Sequence, residues 1–167
     1  MVVKKCWIVL ALTVMLTGCS AQQTFETVLD ALEPVQPQMR QVQLSVPDDA
    51  SVLAMSAAET QRLYLCEGYT VTVQILSSGD LKSTFEEITG FGPEQLNPIK
   101  TQTQETVRYD CVWTAAGEGG DQVGRATVLD DGSYHYAVTV MADASVSGDL
   151  TGEWNDLFDS VKLVSTD

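Results

Sequence analysis

The residues able to do chemistry are few, and their spacing limits what they can do together. His135 is the one histidine in the 167-residue chain, so any metal site built on several imidazoles is excluded. It stands between Tyr134 and Tyr136 with no Gly-x-Ser-x-Gly elbow near it, which makes a solvent-facing strand histidine the expected reading rather than a general base. Acidic pairs occur at Asp48-Asp49, Glu86-Glu87 and Asp130-Asp131. Neither aspartate pair opens the Asp-x-Asp-x-Asp-Gly pattern that encloses calcium, and turn formation accounts for both. Solvation of a helix face accounts for Glu86-Glu87. With 23 carboxylates, some pair will lie at a glycosidase-like separation by accident, so that pattern carries no information. Trp113 and Trp154 could stack on sugars, but both fall on apolar faces and are expected in the core. Gly117-Glu118-Gly119-Gly120 lacks the following Lys-Ser/Thr of a phosphate loop and reads as a flexible connection. No catalytic constellation and no cofactor or metal site emerges.

The four cysteines divide by position. Cys6 and Cys19 lie near the start, leaving Cys66 and Cys111 as an even remainder. In an exported protein such a pair predicts a disulfide. Closing that loop would stabilise the fold by about 4 kcal/mol in the chain-entropy model. Two unpaired buried thiols are the alternative, and a catalytic thiol dependent on His135 ranks last.

The elements that must position these groups are mostly strands. Gln41–Val46 alternates polar and apolar residues, and Ser51–Met55 is a further short strand. Arg62–Cys66 and Tyr69–Leu76 flank the two-residue turn Glu67-Gly68. Along the second of them Tyr69, Val71, Val73 and Ile75 share a face. Leu81, Phe85 and Ile88 define a helix over Leu81–Thr89, stopped by Gly90 and Gly92-Pro93. A long strand is expected at Thr103–Thr114. Gln122–Leu129 and Ser133–Ala142 follow it, joined through Asp130-Asp131-Gly132. A helix at Asp149–Asp159 places Leu150, Trp154, Leu157 and Phe158 together, and Val161–Val164 closes the chain as a strand. The fold class is therefore α+β, a mainly antiparallel sheet flanked by helices. This order of elements over residues 41–167 resembles the PsbP-like α/β/α sandwich found in some small lipoproteins. That resemblance implies binding or assembly roles rather than one chemistry.

Residues 1–40 read differently. Lys4 and Lys5 precede an uncharged run from Trp7 to Leu16, which is shorter than the ~20 residues a spanning helix needs. Leu16-Thr17-Gly18-Cys19 then resembles the lipobox of bacterial lipoprotein precursors. The resemblance implies that Cys19 is acylated and that residues 1–18 are removed as a signal peptide. Palmitate-type acylation with a diacylglycerol would give a firm membrane anchor, since one chain binds only marginally. Residues 19–40 form the tether. Within it Phe25, Val28, Leu29 and Leu32 suggest a short helix over Thr24–Glu33, ended by Pro34 and Pro37.

Charge narrows the partners. The chain carries 9 basic and 23 acidic residues, a net charge of −14, and loss of Lys4 and Lys5 takes it to −16. Nucleic acid is excluded as a main partner, because phosphate binding needs a basic surface. Anionic lipid would repel the protein, so the lipid on Cys19 must hold it at the membrane. The expected function is a non-catalytic, membrane-anchored extracytoplasmic lipoprotein that binds or helps assemble a protein of the envelope through the polar sheet face or the Gly117–Gly120 loop. A receptor for a small ligand or cation is the alternative, and an envelope hydrolase ranks third.

Overall fold

A computed structural model describes residues 37–117 and 119–165, and the folded domain begins at Gln38. The signal, Cys6, Cys19 and the Thr24–Glu33 helix lie outside the described residues.

Two hairpins and a meander build the main sheet. Strands β2 (Ser51–Met55), β3 (Gln61–Cys66) and β4 (Tyr69–Ser77) come first, followed by helices α1 (Leu81–Thr89) and α2 (Pro93–Leu96). Strands β5 (Ile99–Gln102), β6 (Val107–Gly117), β7 (Gly120–Asp130) and β8 (Tyr134–Asp143) complete the sheet. Seven strands lie in the order β2-β3-β4-β8-β7-β6-β5, and every neighbouring pair is antiparallel. Helix α3 (Thr151–Ser160) follows, and two short strands, β1 (Gln41–Gln43) and β9 (Lys162–Val164), pair as a separate ribbon.

Alternation along the strands decides which helix covers which face. Tyr69, Val71 and Val73 of β4 join Tyr136, Val138 and Val140 of β8 in one core, which Trp154, Leu157 and Phe158 of α3 close. The opposite face of the sheet carries Cys111 and Trp113 of β6, Ala126 and Val128 of β7 and Ala137 of β8, and Phe85 of α1 is buried against them. The domain is thus an α+β sandwich with an antiparallel sheet between helical layers, the PsbP-like arrangement expected from the element order.

Local chemistry fixes the ends of α1. The Asp80 carboxylate accepts from the Lys82 amide at 3.1 Å, and Gly90 at φ 80° donates its amide to the Glu86 carbonyl. In the β3–β4 turn Gly68 likewise has φ 80°, a conformation that a Cβ would strain.

Three expectations need correction. The strand expected at Thr103–Thr114 begins only at Val107: residues 103–106 are a turn after β5, in which the Thr103 hydroxyl accepts the Thr106 amide and the Thr103 amide donates to the Thr106 carbonyl. The first strand stops at Gln43 because its partner β9 has only three residues. The loop expected over Gly117–Gly120 is bounded by strand residues, with Gly117 paired directly with Gly120.

The fourth correction concerns the cysteines. Cys66 and Cys111 are both free and buried, so the expected disulfide is absent. Cys66 belongs to the core under α3 and Cys111 to the core under α1, on opposite faces of the sheet. Strands β4, β8 and β7 also lie between β3 and β6. Four inter-strand steps of about 4.8 Å are far beyond the reach of a disulfide. Burial pushes both thiols up, Cys111 to about 11. In unreduced protein Cys66 and Cys111 should therefore both be alkylatable in denaturant and neither quickly in the native state at pH 7. A thiol whose folded pKa is raised stabilises the fold below its unfolded value, and that contribution is lost as pH rises toward about 11. Melting curves from pH 8 to 11 should fall more steeply for the native sequence than for Cys111→Ala.

Candidate binding surfaces

His135 is the first candidate to place, and the structure corrects it. The ring is 2% exposed, facing α1 rather than solvent. Its Nδ1 shares a 2.6 Å hydrogen bond with the Thr84 hydroxyl, and Nε2 lies 3.8 Å from Asp130 Oδ2. Threonine, histidine and aspartate in a row look like a nucleophile, a base and its orienting acid. The order is right and the access is wrong. Thr84 is itself 5% exposed beneath α1, the His–Asp separation exceeds hydrogen-bond reach, and none of the three clefts described below is lined by any of the three. The arrangement seats a helix on a sheet.

The Asp130-Asp131 pair resolves as turn chemistry. Asp130 Oδ1 accepts the Gly132 amide at 2.8 Å, and Asp131 Oδ1 accepts the Ser133 and Tyr134 amides at 2.9 and 2.8 Å. Asp131 Oδ2 accepts the Tyr136 hydroxyl at 2.9 Å, while the Arg40 amide donates to that same hydroxyl at 3.0 Å. Partial burial works against ionisation of Asp131, but the Tyr134 and Ser133 amides outweigh it and hold the carboxyl below its ordinary range. Burial and the Asp131 carboxylate push the Tyr136 phenol up to about 12. A carboxylate with a depressed folded pKa stabilises above its unfolded value of 3.8 and ceases to as pH falls through the folded value. Asp131→Asn should therefore melt below the native protein at pH 7, with the gap closing toward pH 2. Among the described residues no group of three His, Cys, Asp or Glu is placed to hold a metal ion. Trp113 and Trp154 are buried, as expected of core residues.

Two surfaces remain. One is a cleft of about 560 Å³ beside α3, bordered by Ile99, Val112, Arg125, Thr151, Trp154 and Asn155. Arg125 donates to Asn155 Oδ1 at 2.7 Å and lies 4.4 Å over the Phe158 ring, so its charge is held in place. The buried Trp154 indole N–H has no hydrogen-bond partner among the described residues. Further clefts of about 550 and 480 Å³ lie beside β1 and β9, the first bordered by Glu59 and Arg62 and the second by Arg40, Glu105, Arg108 and Lys162.

The other surface is the open edge at β2. All five of its residues are exposed, with Val52 at 56%, Leu53 at 58% and Met55 at 56%, and Leu65 on the neighbouring β3 at 45%. The ladder to β3 slips between Val52 and Ala54, leaving a bulge at Leu53. No charge and no proline interrupts the strand. The opposite edge is guarded differently, since β5 carries Lys100 and follows Pro98. An apolar edge strand left uncovered by the described residues is the feature sequence reading missed. Its continuous Val-Leu-Ala-Met run suggested a strand, but nothing in it tells exposure from burial.

Comparisons with known proteins fit this geometry. No family model matches the chain, and no curated protein matches it in sequence. Among solved structures it is similar to LpqN, a protein involved in cell envelope biogenesis in Mycobacterium tuberculosis, with a TM-score of 0.51 and 12% identity over 78% of this chain and 87% of that one. It is also similar to the cyanobacterial PsbP (CyanoP) of Synechocystis sp. PCC 6803, with a TM-score of 0.53 and 9% identity over 78% and 96%. At these identities the likeness is one of fold.

Proposed function

We propose that this protein is an extracytoplasmic, lipid-anchored module of the cell envelope with no catalytic role, which binds another envelope protein through the edge of its sheet. The observation that carries the reading is the run of Val52, Leu53 and Met55, exposed at an edge to which no strand among the described residues pairs. Monomeric proteins seldom leave such an edge without charge or cover, because it invites pairing with another chain. Anchoring rests on Leu16-Thr17-Gly18-Cys19, with residues 1–18 as signal, 19–40 as lipidated tether and 41–167 as the globular domain. No helix among the described residues is long and apolar enough to cross a membrane, which is consistent with a lipid on Cys19 as the anchor. The fold shared with LpqN supports an envelope setting.

The test has two arms. In fractionated cells the native chain should sediment with membranes and Cys19→Ala should accumulate as unprocessed precursor. Unchanged processing and fractionation of Cys19→Ala would remove the lipoprotein reading. Photocrosslinkers placed in intact cells at exposed positions of β2 should give a protein adduct, and recovery of monomer alone from every position would remove the partner reading.

A second reading has its own observation. The α3 cleft, bordered by the fixed guanidinium of Arg125, suits a small polar solute with an acceptor group. Thermal-shift screening against small polar solutes separates the two, because a ligand bound only by the native state must raise the melting temperature.

A further inference from the structure

We propose that the partner joins β2 as an added strand, through an extended apolar segment flanked on both sides by lysine or arginine. The inference rests on the protein-binding reading above and names the chemistry of the segment that β2 receives.

The backbone argues for a strand. Between Ser51 and Met55 the inner edge of β2 bonds β3, and no hydrogen bond within the described residues is made on its outer edge. An added strand would satisfy that outer row, and its alternate side chains would meet Val52, Leu53 and Met55.

Charge argues for basic flanks. Asp48 and Asp49 stand exposed just before β2. Glu67 in the β3–β4 turn is exposed at the same end, since Ser51 pairs with Leu65, and Asp49 is near enough to Cys66 to oppose its ionisation. Beyond the other end Glu59 is exposed, in a left-handed turn at φ 55°. Arg62, the one cation on β2 and β3, pairs with Met55 and has a guanidinium nitrogen on the Val42 carbonyl at 2.7 Å. An apolar strip bounded by acids at both ends selects an apolar segment bounded by bases.

The same charges disfavour the other occupants. A second copy would bring acidic ends against acidic ends in either strand direction, at −16 per mature chain. An anionic membrane would be repelled in the same way.

The test uses the full-length protein in neutral detergent and three fluorescent peptides. One carries Thr-Val-Thr-Val-Thr between paired lysines, one has glutamates in place of the lysines, and one keeps the lysines but has alternate backbone amides N-methylated. Anisotropy should report roughly tenfold tighter binding of the lysine-flanked peptide than of the glutamate-flanked one. That difference should shrink as salt rises from about 0.1 M to about 1 M and the screening length falls to about 3 Å. N-methylation should abolish binding. Asp48→Asn/Asp49→Asn should reduce the preference for lysine flanks, and Leu53→Ser/Met55→Ser should weaken the lysine-flanked peptide. These residues are exposed, so neither variant should disturb the fold.

Equal affinity for both flanks would overturn the charge argument, and undiminished binding of the N-methylated peptide would overturn strand addition. Binding to phosphatidylcholine vesicles that Leu53→Ser/Met55→Ser abolishes would make the strip a membrane contact and overturn the proposal. If no peptide binds while crosslinkers on β2 still capture a protein in cells, this proposal falls and the broader reading stands. If no position captures a protein, both fall.

Discussion

Gly124→Val should destabilise the domain by about 3 kcal/mol and lower its melting temperature by roughly 10 °C. Gly124 sits on β7 directly between Trp113 of β6 and Met141 of β8. An ideal Cβ at this position would stand 2.3 Å from Trp113 Cζ2, 2.4 Å from Cε2 and 2.7 Å from Met141 Sδ. Carbon atoms in contact prefer about 3.5–4.0 Å, so the indole crosses the space a side chain would fill. Valine has the better strand propensity, and removing a glycine limits the unfolded chain, but each effect is worth about 1 kcal/mol at most. Overlap with a buried indole outweighs both. Trp113 shares its core with Phe85, Cys111 and Val128, so it cannot swing aside without opening that face. Urea denaturation checks the claim, with a lower midpoint and an unchanged slope expected. Trp113→Leu should cost less in the Gly124→Ala background than in the native one, since the two changes relieve each other. A Gly124→Val protein melting within two degrees of the native one would contradict the placement of the indole.

Arg108→Ala should cost about 2–3 kcal/mol, several times what a surface ion pair contributes. The guanidinium meets both oxygens of Asp110, with Nε at 2.8 Å from Oδ2 and Nη2 at 3.0 Å from Oδ1. It also donates to the Phe158 carbonyl from Nη1 and Nη2, each at 3.2 Å, and from Nη2 to the Thr127 hydroxyl at 3.1 Å. The Thr127 hydroxyl in turn donates to Asp110. Arg108 and Asp110 are each about one-quarter exposed (23% and 25%), so water screens them only in part. The Phe158 carbonyl lies in the last turn of α3, the negative end of that helix dipole. Removing the cation would leave a carboxylate and a helix end without their shared donor. Arg108→Lys should recover less than half the loss, because an ammonium cannot reproduce the planar fork. A double-mutant cycle with Asp110→Ala should return a coupling above about 1 kcal/mol. Additive losses would show that Arg108 acts on α3 alone.

The readable parts of this fold are those where burial and local chemistry agree. Tyr69, Val71, Val73 and Ile75 alternate cleanly because α3 covers one face of β4 while threonines and Gln74 occupy the other. Leu81–Thr89 matches its helix to the residue because Asp80 caps one end and Gly90 the other. Less is legible where tertiary structure decides. Alternation set His135 opposite the tyrosines correctly, but which face α1 covers depends on packing that a single strand cannot reveal. Thr103 and Thr106 favour strands by type, yet their hydroxyls and backbones bond across a turn and delay the strand expected there to Val107. An even number of cysteines says nothing about faces, and Cys66 and Cys111 lie on opposite ones. Arg108 and Asp110, two apart on one strand, gain their importance only from the position of Thr127 and Phe158.

The central claim is that β2 is the face this protein offers to another. Its most direct measurement is a photocrosslinker at Leu53 of the full-length chain, activated in intact cells, with the adduct mapped to a residue by mass spectrometry. Our account predicts a discrete adduct within an extended apolar segment bordered by lysine or arginine, and none above background from the same probe at Gln102 on the far edge. Equal labelling at both edges, or none at Leu53, would contradict it.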